Sequence, residues 1–127
     1  MIQEEKVIVM DIDGSLCEIK SSEQSYSEVQ PKYEVLKQLV EYQKNGFYII
    51  LFTSRQMRTY KGNLGKINAN TAKVLIEWLD HYQVPYDELL FGKPWCGKGG
   101  FYVDDKAIRP DEFANLNYDE ILNLISK

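Results

Sequence analysis

Histidine and cysteine are scarce in this chain of 127 residues, with one histidine and two cysteines. The lone histidine, His81, has no evident partner for phosphohistidine chemistry and reads as a surface residue. Cys17 and Cys96 form no C-x-x-C pair, which excludes a zinc knuckle and a thioredoxin-like motif. Both read as incidental thiols in a reducing cytoplasm, although Cys96 falls beside a loop singled out below. Positive charge is also in deficit: 15 Lys and Arg stand against 19 Asp and Glu, a formal net charge of −4. That balance gives no general argument for nucleic acid or an anionic membrane as partner. No apolar run approaches the roughly 18 residues of a membrane helix. The opening Met1-Ile2-Gln3-Glu4-Glu5 is acidic and leads straight into a strand pattern, unlike a signal peptide. There is no internal repeat, linker or low-complexity tract.

What is present is the composition of a packed domain, with 44% hydrophobic residues, enough to argue against disorder. The length fits one domain over residues 1–127. Short apolar runs alternate with amphipathic stretches, which predicts an α/β protein with a mostly parallel sheet. The first strand is expected at about Lys6 to Ile12. Residues 14–28 are polar and Ser/Glu-rich and read as a loop or small hairpin. Pro31 suits a helix start, Val35, Leu36, Leu39 and Val40 form a helical stripe, and Asn45-Gly46 ends it. Phe47–Phe52 is a near-continuous apolar run, as expected of a strand buried on both faces. A second helix is expected from about Ala69 to Tyr82, with Val74, Leu75, Trp78, Leu79 and Tyr82 on one side, so that Trp78 and Tyr82 read as core. Leu89–Phe91 and Phe101–Val103 read as further strands, and Tyr118 to Ser126 as a last helix.

Each expected strand ends in polar residues suited to phosphate chemistry: Asp11 and Asp13, Thr53, Lys93, and Asp104 with Asp105. In open parallel sheets the ligand crevice lies at the carboxyl ends of the strands, so this pattern gathers them at one edge. Two acids two residues apart share a side of an extended chain and crowd each other unless a cation or a proton relieves them. Phosphate monoester hydrolysis, which enzymes accelerate by up to about 10²¹-fold, needs a nucleophile, a proton donor and positive charge. Asp11 is suited to attack phosphorus and Asp13 to protonate the leaving oxygen and later activate water. Thr53 can donate to a phosphoryl oxygen and Lys93 can neutralise developing charge. Asp104 and Asp105, with the first pair, can complete an oxygen site for Mg²⁺.

Taken singly, each of these has an ordinary reading: a solvated turn for Asp11 and Asp13, a strand cap for Thr53, a surface lysine for Lys93, a helix N-cap for Asp104-Asp105. Taken jointly, each behind an apolar run, they do not. A calcium loop starting at Asp11 fails, because an EF-hand needs glycine at its sixth position and glutamate at its twelfth, where this chain has Leu16 and Ser22.

The order Asp11-Ile12-Asp13-Gly14, Thr53, Lys93, Asp104-Asp105 resembles the four motifs of the haloacid dehalogenase (HAD) superfamily of phosphatases, across nearly the whole chain. The resemblance implies a three-layer Rossmann-like core, a covalent aspartyl-phosphate on Asp11, acid/base work by Asp13, and Mg²⁺ bound in part by the Asp13 backbone carbonyl. A narrower likeness rests on Arg55-Gln56-Met57-Arg58-Thr59-Tyr60, Gly62-Asn63, Gly65-Lys66-Ile67-Asn68 and Gly92-Lys93-Pro94-Trp95-Cys96-Gly97. These are similar to a small group of HAD proteins encoded among bacterial capsular polysaccharide genes. HAD enzymes often carry a cap domain between these motifs. Residues 14–46 and 54–92 leave no room for one, so a capless site is expected, open to a bulky substrate or closed by a second copy of the chain.

Loop 55–68 is the expected substrate contact. It carries Arg55, Arg58, Lys61 and Lys66 without an acid and follows Thr53-Ser54 directly. Arg55 or Arg58 suits a second anionic group. A solvated surface or an oligomer contact is the competing reading, and Trp95 is equally open to packing, a subunit contact or a platform for a sugar ring. The expected substrate is a small phosphorylated metabolite, with a sugar phosphate as one form. Two other functions share part of this residue set. A signalling receiver domain has a similar set, but its phosphoacceptor follows at the third strand, before the threonine and lysine. A phosphatase of nucleic-acid ends conflicts with the negative net charge and the single confined basic loop.

Overall fold

The computed structural model describes residues 6–126; the acidic opening at residues 1–5, with the expectation attached to it, and Lys127 lie outside them. The molecule is a mixed α/β protein with one parallel sheet of three strands, β1 Val7–Asp11, β2 Tyr48–Thr53 and β3 Glu88–Phe91, in the order β1-β2-β3. The register pairs Asp11 with Phe52 and Thr53 with Phe91, so all three strands end level at one edge. β2 is central, and Ile49, Ile50 and Leu51 are all buried although successive residues point to opposite faces. The sheet is therefore covered on both sides there, as the unbroken apolar run predicts.

Helix α1, Tyr33–Lys44, joins β1 to β2 and buries Val35, Leu39 and Tyr42. Asn45 caps its end and Gly46 follows with a left-handed φ of 88°. Pro31 lies two residues before the helix, in a bridge to Cys17, and not in its first turn. Between β2 and β3 the expected single helix is two: α2 Leu64–Asn70 and α3 Ala72–His81. Thr71 separates them, its buried hydroxyl bonded to the Gln56 side chain, while its backbone keeps helical angles and i→i−4 hydrogen bonds on both sides. The loop is correspondingly shorter than 55–68, and Lys66 sits on α2. Leu75, Trp78 and Leu79 of α3 are buried; Val74 of the expected stripe is partly exposed. α4 Pro110–Asn115 and α5 Tyr118–Ile125 close the chain.

The core joins Ile12, Leu16, Leu39, Ile49, Leu51, Leu75 and Leu79, all fully buried. Each such side chain contributes about 1.5–3 kcal/mol relative to exposure. No helix among the described residues is long and apolar enough to cross a membrane.

The expected strand at Phe101–Val103 is not formed. These residues are irregular, and Phe101 and Val103 are 80% and 88% exposed. Two contacts account for this. The Tyr102 hydroxyl donates to the Pro94 carbonyl at 2.5 Å, and its ring lies 4.2 Å below the Lys93 ammonium. The intervening chain folds back so tightly that a side chain at Gly100 would collide with the Cys96 carbonyl. Tyr102 is thus held against the segment after β3, and β1 is left as an edge strand with Val9 61% exposed.

Candidate active site

The site starts where β1 ends. Ile12 is fully buried and anchors the turn, its carbonyl accepting from the backbone N–H groups of Ser15, Leu16 and Cys17 at 2.9–3.1 Å. Alternation then turns the Asp11 and Asp13 side chains away from the core. Gly14 has a φ of 89°, a left-handed conformation that suits a residue without Cβ.

Each aspartate has its own cation. Lys93 Nζ lies 3.4 Å from Asp11 Oδ1, and the Ser15 hydroxyl donates to Asp11 Oδ2 at 3.1 Å. Lys93 is two residues past β3 and is held in place by its N–H to the Thr53 carbonyl at 3.1 Å. This ion pair joins the first and third strands across the end of the second. Asp13 is gripped by Arg55 on both oxygens, Nε to Oδ2 at 3.1 Å and Nη2 to Oδ1 at 2.8 Å. The fork geometry is the strong form of such a pair. The Arg55 side chain is only 1% exposed and stacks on Tyr26, 4.1 Å from its ring centre. Thr53 Oγ1 accepts the Arg55 backbone N–H at 2.9 Å, which sets the turn that brings Arg55 back over Asp13.

Beside Asp13 lies an open cleft of about 400 Å³, walled by Ile19, Lys20, Tyr26, Ser54, Arg55, Arg58, Thr59 and Trp95. A neighbouring hollow of about 470 Å³ shares Lys20, Tyr26 and Arg55 with it but reaches neither aspartate. Arg58 lies over the Trp95 indole at 5.3 Å.

The structure brings together Asp11, Asp13, Lys93, Ser54, Arg55 and Arg58 of the expected residues. Thr53 is adjacent but buried and does not line the cleft. Lys66 is exposed on α2, where its backbone N–H is capped by Asn63, and it lines neither hollow. Asp104 and Asp105 are not drawn to the aspartate pair, since the strand that was to carry them is absent. Both are exposed, and Asp104 Oδ1 accepts the Lys106 N–H at 2.9 Å. Among the described residues no group of three or more His, Cys, Asp or Glu side chains converges to hold a metal.

Four neighbours of the site were not anticipated: Ser15, Lys20, Tyr26 and Tyr102. Ser15 was within reach of sequence reasoning, as a hydroxyl four residues after Asp11. Lys20 and Tyr26 lie in a polar stretch with no periodic signal. Burial raises the Tyr26 hydroxyl pKa, helped by the Asp13 charge. The Tyr102 hydroxyl is raised by desolvation, then by Cys96, with a smaller push from Asp11. Cys17 also belongs to the site's support: its Sγ lies 3.7 Å from Asp13 Oδ1, and burial above all pushes the thiol up to about 12.

A three-stranded parallel sheet with paired acids and cations at its carboxyl edge defines an α/β protein whose site lies at the strand ends. Over 95% of its length the chain is 51% identical to the protein in a crystal structure of a structural genomics target from Vibrio cholerae, covering 97% of that chain with a TM-score of 0.91. The chain belongs to the same family as that protein. No protein-family model matches the chain, and no curated protein matches it.

Proposed function

We propose that the chain is a phosphatase of the HAD type, without a cap domain, acting on a small phosphate monoester such as a sugar phosphate. The observation that carries this reading is the Asp11–Lys93 ion pair of 3.4 Å at the carboxyl ends of the strands, with Asp13 two residues on. Asp11 attacks phosphorus while the bond to the leaving oxygen breaks, and Asp13 gives that oxygen a proton. Asp13 then takes a proton from water, which attacks the aspartyl-phosphate, releases phosphate and restores Asp11. Lys93 offsets the charge that collects on the phosphoryl oxygens. Both Asp13 oxygens are engaged by Arg55 in the free protein, so one of those hydrogen bonds exchanges for the leaving oxygen when substrate binds.

Mg²⁺ is the cation such chemistry ordinarily uses to neutralise phosphate. The donors do not yet fit it. Asp11 and the Asp13 carbonyl, which takes no backbone hydrogen bond among the described residues, supply two oxygens. Neither Asp104 nor Asp105 adds a third. None of the steps above passes through the ion.

Turnover of p-nitrophenyl phosphate, with and without added Mg²⁺, tests the reading. Multiple turnovers that vanish in Asp11→Asn are expected. An Asp11→Asn protein that keeps substantial activity removes Asp11 as nucleophile, and single-turnover phosphorylation would point instead to a phosphoacceptor.

A further inference from the structure

The cleft next to Asp13 has a charge excess that the proposed chemistry leaves unused. Of its four charged residues, Asp13 and Arg55 neutralise each other, leaving Lys20 and Arg58. Among the described residues neither forms an ion pair with a carboxylate. Each is held by an aromatic ring: Lys20 lies 5.4 Å from the Tyr26 ring centre and Arg58 5.3 Å from that of Trp95. A cation–π contact positions a cation without consuming its N–H donors. Lys20 spends one, on the Ser21 carbonyl at 3.3 Å. Two positioned cations therefore face an open cleft in a molecule whose net charge is −4.

The direction of the cleft matters as well. It reaches Asp13, the residue that serves the leaving oxygen, and does not include Asp11 or Lys93, which serve the phosphorus. On the phosphatase reading, its occupant is the leaving group. Its walls also offer Trp95, 45% exposed, and the Ser54 and Thr59 hydroxyls, which together suit a ring with one apolar face and several polar edges.

We infer that the cleft selects phosphate monoesters whose leaving group is a ring bearing a second anion, carboxylate or phosphate, bound between Lys20 and Arg58. This rests on the phosphatase reading for its orientation, so binding and turnover are measured separately. Three compounds matched in their ring serve as probes: a hexose phosphate, the corresponding hexuronic acid phosphate and a hexose bisphosphate. Calorimetric binding to the Asp11→Asn protein is expected to favour both doubly charged compounds by about tenfold or more, as for one good charge-assisted contact. The Lys20→Gln/Arg58→Gln double variant is expected to lose that gap, and Arg58→Lys, which keeps the charge, to retain part of it. A gap for the uronic acid alone assigns the site to carboxylate, and a gap for the bisphosphate alone assigns it to phosphate. Equal binding of all three, or a gap that survives in the double variant, overturns the inference. A binding gap without turnover of any phosphate ester leaves the cleft assignment standing and removes the phosphatase reading.

Discussion

Arg55 is the residue on which the site's geometry depends most. It is buried, forks onto both oxygens of Asp13, stacks on Tyr26 and takes its backbone direction from Thr53. Removing one partner of a buried ion pair typically costs about 3–5 kcal/mol, because the other charge is stranded. Asp13 keeps a quarter of its side-chain surface exposed, so water takes over part of the burden. Arg55→Met is accordingly expected to lose no more than the low end of that range in urea denaturation, together with most of the proposed p-nitrophenyl phosphate turnover. An unchanged midpoint would show that the fork adds nothing to stability. Cys17 gives a second prediction. Its proton is held more tightly in the folded protein, so the stabilisation from this thiol is intact below pH 9.0 and is lost as the pH rises toward 12. At pH 8 a maleimide is expected to label Cys96 and to spare Cys17 until denaturant is added. Cys17 labelling in the native protein would contradict its burial.

At the scale of elements, the connection least apparent in the sequence is the tie between α3 and the segment before α1. Trp78 Nε1 donates to the Val29 carbonyl at 2.8 Å, both buried. Trp78→Phe keeps most of the apolar contact and orphans the carbonyl, an expected loss of about 1–3 kcal/mol, measurable by thermal unfolding. A change under about 0.5 kcal/mol would mean that water replaces the indole. β1, β2 and β3 were all legible, because an apolar run followed by a polar residue specifies both a strand and its end. Two elements were misread for definable reasons. The helix expected from about Ala69 starts earlier, at Leu64, and is divided at Thr71, whose hydroxyl meets Gln56, a contact fifteen residues away that periodicity does not contain. Phe101-Tyr102-Val103 has strand composition, yet Tyr102 is claimed by Pro94 and Lys93 across a glycine-rich turn. The loss of that strand also removes Asp104 and Asp105 from the acidic pair.

At the scale of the molecule, charge is segregated. An acidic protein gathers Lys93, Arg55, Arg58 and Lys20 around two aspartates, an arrangement that concentrates small anions locally while discouraging polyanions. The sequence located the paired acids and the basic loop, because those residues follow strand ends directly. It did not reveal Lys20 or Tyr26, whose place depends on how residues 14–28 fold back over Arg55. The two tryptophans divide in the same way, Trp78 in the core and Trp95 on the cleft under Arg58. Acrylamide is therefore expected to quench Trp95 and largely to spare Trp78. An anion bound by the Arg58 guanidinium that lies over the Trp95 indole is expected to change that residue's emission, which would give the cleft its own optical gauge of occupancy with no attached dye.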